Sequence, residues 1–94
     1  MRVYIFTPVK NWAYCGGAIA VVARSPQEAA GAAMALPYYG CTYGEHGATF
    51  YIEDVDVQTS IPNEVDSWYL HYTSPPLDMP EGPARVVVND WNYS

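Results

Sequence analysis

Residues 14–36, YCGGAIAVVARSPQEAAGAAMAL, constrain the fold more than any other stretch. Gly16-Gly17 reads as a turn, because glycine takes positive φ without steric cost. Ala18 to Ala23 is an unbroken apolar run. It is too short for a helix and rich in Ile and Val, which predicts a buried strand. Ser25-Pro26-Gln27-Glu28 then opens a helix. Ser25 caps the free N–H groups, Pro26 suits the first helical position, and Glu28 reaches back as the acid of a capping box. Ala29, Ala33 and Leu36 fall on one helical face, flanked by Ala30 and Met34. Gly31 weakens the helix, so close packing is the expected reason for it. Pro37 ends it.

The rest of the chain arranges strands around this unit. Arg2 to Thr7 alternates Val3, Ile5 with Tyr4, Phe6, so both faces are largely apolar and either a central position or a covered second face is expected. Pro8 ends it, and a wide hairpin loop carries Trp12 and Tyr14. The second strand has a small face, Ala18, Ala20, Val22, and a bulkier one, Ile19, Val21, Ala23. The helix is expected to lie on the small face, leaving Tyr4, Phe6, Ile19 and Val21 on the open one. Residues 38–47, YYGCTYGEHG, read as a Tyr/Gly loop. Thr49 to Val57 is a third strand whose phase slips, which a bulge near Glu53-Asp54 would restore. Its acids suit a sheet edge. Residues 58–66 read as a loop or helical turn, and Trp68 to Thr73 as a fourth strand. Ser74 to Pro83 holds four prolines in ten residues and follows an extended path. Ala84 to Trp91 is a last strand, whose two-sided Val content suggests a place inside the sheet. The expected fold is α+β: one domain over residues 1–94, in the order β-β-α-β-β-β. A single antiparallel or mixed sheet of four to five strands would carry one helix on one face.

Composition narrows the function. Four Lys+Arg against ten Asp+Glu give a net charge of −6 at pH 7. Four scattered cations cannot neutralise a phosphate backbone, so neither direct nucleic-acid binding nor an anionic membrane partner is expected. An acidic surface steers towards basic partners, and it also serves solubility. No segment approaches the ~20 apolar residues of a membrane span, and Pro8 and Lys10 interrupt the first apolar run. A cytoplasmic protein is expected. Nine Tyr and three Trp against two Phe favour side chains with one polar end, suited to half-buried positions and binding surfaces.

No chemical constellation stands out. Cys15, Cys41, His46 and His71 are the soft ligands, but they lack the close pair typical of structural zinc. No metal or cofactor is expected. A Cys15–Cys41 disulfide needs an oxidising compartment and Cα atoms within ~7 Å. Cys41 and His46 could form a nucleophile pair only with the histidine in contact and an oxyanion site. Glu53, Asp54 and Asp56, with Glu64 and Asp66 downstream, form a locally acidic region that can stay solvated or meet a basic groove. Tyr38, Tyr39 and Tyr43 either cap the core or act as rigid anchors of a binding surface.

The first 36 residues resemble small phage and prophage accessory proteins. Those open with a short strand, an aromatic-Gly-Gly turn, a second strand and a Ser-x-x-Glu-Ala helix. Here the parts are Val3–Phe6, Tyr14–Gly17, Ala18–Ala23 and Ser25–Ala29. Small size and acidity are similar to those of anti-CRISPR inhibitors. The resemblance implies a non-catalytic inhibitor that binds a CRISPR surveillance complex, or another basic nucleic-acid-binding protein, by steric or charge-based occlusion. Tyr38, Tyr39, Tyr43, Glu53, Asp54, Asp56, Glu64 and Asp66 are the candidate partner-binding residues, read from composition and placement. The alternatives are a homodimer joined through the apolar open face, and a small enzyme built on Cys41 and His46.

Overall fold

The Ser25 cap and the apolar patterning of residues 2–7 and 18–23 fix most of the architecture. The computed structural model describes residues 1–8, 16–38, 40–52 and 67–92. The elements run β1 (Arg2–Pro8), β2 (Gly16–Ala23), α1 (Pro26–Met34), β3 (Pro37–Tyr38), β4 (Cys41–Thr42), α2 (Tyr43–His46), β5 (Thr49–Tyr51), β6 (Ser67–Thr73) and β7 (Arg85–Asn92). This is a small α+β fold built on a mixed five-stranded sheet, with the order β5-β6-β1-β2-β7. β1 is central, as its two apolar faces predict. The sheet is mixed because β5 runs parallel to β6 while the other pairs are antiparallel. β3 and β4 form a separate two-stranded hairpin.

The helix starts where the sequence places it. Ser25 is extended, at φ −149° and ψ 159°, and its side chain accepts the Glu28 N–H. Glu28 also accepts from the Arg24 guanidinium at 2.7 Å. Ala29, Ala30 and Ala33 are the buried residues of α1. Leu36 and Met34 pack partly buried beside them.

The helix-bearing face is the reverse of the expectation. Tyr4, Phe6, Ile19, Val21 and Ala23 form the core together with Ala29, Ala30 and Ala33. The bulkier face of β2 therefore meets the helix, and the small face turns to the opposite side of the sheet, where Ala20 and Val22 are still buried. The physical reason is area. Phe6, Ile19 and Val21 are fully buried. Each stabilises the fold by roughly 1.5–3 kcal/mol, which an Ala-on-Ala contact cannot match. The small residues needed for close approach come from the helix.

Four further expectations change. Gly16-Gly17 is not a turn but the start of β2, with Gly17 at φ +111° opposite Trp91. Only glycine adopts that angle cheaply. Residues 38–47 hold the hairpin and α2. β7 pairs with β2 alone, so among the described residues it is an edge rather than an inner strand. Nothing lies within 4 Å of a Cβ placed on Gly31, so close packing does not account for that glycine. The third strand is described to Tyr51, and the bulge proposed at Glu53-Asp54 lies outside the described residues. Two bulges do occur, at Ile5/Phe6 against β6 and at Ala20/Val21 against β7.

Candidate interaction surface

The two bulges shape the face that the helices leave uncovered. In a regular strand Leu70 and Tyr72 would share a face, as would Val86 and Val88. The bulges make His71 and Val87 the extra residues. Phe6 then pairs with Leu70 but Ile5 with Tyr72. Likewise Val21 pairs with Val86 but Ala20 with Val88. Leu70 and Val86 join the core. Tyr72 and Val88 turn to the other side. Directly paired residues share a face, so Tyr72, Ile5, Ala20 and Val88 form one apolar row across four strands. A neighbouring row is Val3, Val22 and Arg85. Tyr72 is 48% exposed, Val87 48% and Val88 45%. Sequence reasoning missed Tyr72 and Val88 as surface residues. The two-sided Val content of 86–88 was the signal, and a bulge is its explanation.

The Tyr/Gly segment is a folded element. Thr42 caps α2: its side chain accepts the Glu45 N–H at 3.1 Å, and the Glu45 carboxylate accepts the Thr42 N–H at 3.1 Å. This is a reciprocal capping box, and Thr42-x-x-Glu45 spells it in the sequence. Gly47 closes the turn in the left-handed region at φ +94°. The effect is to drive Tyr43 inward, where it is 1% exposed. Its ring lies 5.1 Å from Tyr38 and 6.0 Å from both Phe50 and Trp68. Tyr43 is thus a core residue rather than a surface anchor. Tyr38 is half-buried, and its ring lies 4.1 Å from exposed His46. Tyr39, Glu53, Asp54, Asp56, Glu64 and Asp66 lie outside the described residues, as do Trp12, Tyr14 and Cys15. Of the candidate anchors, the structure brings together only Tyr38 and Tyr43.

Cys41 is a free, half-buried thiol that donates to the Tyr38 carbonyl at 3.0 Å. His71 is exposed, with its ring 5.9 Å from Tyr69. Among the described residues no three His, Cys, Asp or Glu side chains gather as a metal site. Among them, too, no helix is long and apolar enough to cross a membrane.

The proline-rich segment is a strap that ties β6 to the beginning of β1. Ser74 N–H donates to the Val3 carbonyl at 2.9 Å, and Leu77 N–H donates to Met1 at 2.8 Å. The Ser74 hydroxyl accepts the Val3 N–H at 2.8 Å, and Arg2 donates to the Ser74 carbonyl at 3.1 Å. Between strap and sheet lies a cavity of about 380 Å³ that includes Val22 of the uncovered face. Comparison with known protein families, curated proteins and solved structures returns no match.

Proposed function

We propose that the protein works by binding another protein, without catalysis, through the uncovered sheet face together with its acidic residues. The observation that carries this reading is the Tyr72–Ile5–Ala20–Val88 row. It places large apolar side chains in solvent at both ends of a continuous apolar strip, as interfaces do. The net charge of −6 favours a basic partner surface. Glu53, Asp54, Asp56, Glu64 and Asp66 supply much of that charge. In keeping with the resemblance of the first 36 residues, the reading is an anti-CRISPR-like inhibitor. It would occlude a basic nucleic-acid-binding surface of a host defence complex.

Affinity capture from a lysate of the native host tests it. Wild type is compared with a Glu53→Lys, Asp54→Lys, Asp56→Lys variant and with Val88→Asp. The expected result is one captured partner, weakened by either change, with a flatter salt dependence for the charge-reversed variant. Capture unaltered by both overturns the assignment. Self-association is a second reading, favoured by the same exposed row, which two copies would bury against each other.

A further inference from the structure

The cavity under the proline strap has a defined floor and a charged rim. Met1, Val22, Met79 and Ala84 supply apolar walls, and Glu81 and Arg85 stand beside them with opposite charge. Both charged residues are exposed, and neither forms an ion pair among the described residues. Arg24, the other cation near Glu81, is engaged by Glu28 at 2.7 Å. One wall is tied to the strap: the Leu77 N–H donates to the Met1 carbonyl at 2.8 Å, and Ser74 holds the same strap to Val3 through its N–H and its hydroxyl. Two methionines give the walls an adaptable, polarisable lining. Val22 stands next to Val3 and Arg85 in the row adjoining Tyr72–Val88, so the cavity continues the uncovered apolar face.

A pocket of this size, with apolar and oppositely charged side chains together in its lining, suits an anchor residue. We propose that the cavity is the socket for one bulky apolar side chain of a protein partner, presented by an extended segment with a basic residue on one side of it and an acidic residue on the other. The basic residue meets Glu81 and the acidic one Arg85. The inference rests on the protein-binding reading above and names the chemistry of the segment that docks.

Three capped peptides test it against the full chain by amide chemical-shift titration: Lys-Trp-Glu, Glu-Trp-Lys and Lys-Ala-Glu. The two tryptophan peptides are expected to shift the Val22, Gly82 and Ala84 signals, and the alanine peptide to leave them in place. One charge order should bind roughly two- to five-fold more tightly than the other, the range of an exposed ion pair. Exchanging the rim charges, Glu81→Lys with Arg85→Glu, should reverse the preferred order. Identical shifts from tryptophan and alanine peptides, no shifts at all, or an unchanged preference in the exchanged variant would each overturn the socket. Lysate capture reports separately. Peptide binding without a capture effect removes the surface assignment and leaves the socket, and capture without peptide binding does the reverse.

Discussion

Ser74 joins segments 71 residues apart with one hydroxyl. It accepts the Val3 N–H and donates to the Pro75 carbonyl at 2.8 Å, in a buried position. Ser74→Ala removes the acceptor and leaves a part-buried N–H without its partner. The expected loss is about 1 kcal/mol, read as a lower urea midpoint with an unchanged m-value. A larger loss would mean that the strap detaches as a whole. Arg24 and Glu28 are a contrasting pair, because both are exposed. The side-chain hydrogen bonds from Arg24 hold the Glu28 carboxyl below its ordinary range. A depressed carboxyl contributes above its unfolded-state value and loses that contribution as pH falls through the folded one. Arg24→Gln should therefore raise the Glu28 titration midpoint seen by NMR, and solvent keeps the accompanying stability change small.

At the scale of elements, α1 carries two substitutions of opposite sign. Gly31 is exposed, and a Cβ there meets nothing within 4 Å. Gly31→Ala should stabilise by about 0.5–1 kcal/mol, since only backbone freedom in the unfolded chain is lost. Ala33 is fully buried two positions on, against the sheet. Ala33→Leu should cost about 1–3 kcal/mol through overpacking. Thermal melts of the two variants check both signs. The same helix shows what was legible beforehand. Ser25 and Pro26 act within one turn, so their roles follow from spacing alone, whereas Glu28 does not close a capping box on Ser25 but accepts from the Arg24 N–H and guanidinium. The central place of β1 was legible too, because apolar side chains on both faces suit an inner strand. The choice of face did not follow from the alternation of β2: its two faces differ in size, not polarity, and the larger area won. Nor were the bulges legible. His71 and Val87 become extra residues through pairing with strands far away in sequence, and the only local mark is the two-sided Val run at 86–88. α2 was legible in principle, since Thr42-x-x-Glu45 is a capping box, but three tyrosines and three glycines around it read as loop.

For the whole molecule, the uncovered face sets two demands against each other. A row with Tyr72 and Val88 exposed at its two ends favours any cover, including a second copy. A net charge of −6 on each chain opposes that copy and favours a basic partner. Burying the ends of one row gives little area. A stable homodimer needs about 800 Å² from each partner, and repulsion adds to the cost. The expected outcome is a monomer in sedimentation at micromolar concentration and low salt, with association appearing only as salt screens the charge. Val88→Asp changes a residue that is 45% exposed. It should alter stability by no more than about 0.5 kcal/mol and abolish any association seen at high salt. A tight dimer at low salt, lost on Val88→Asp, would instead make self-pairing the use of this face. Ile19 and Val21 cannot contribute to either contact without unfolding, because both are fully buried under α1 in the core. Whatever binds must therefore read Tyr72 and Val88, the two row residues that the bulges turn outward.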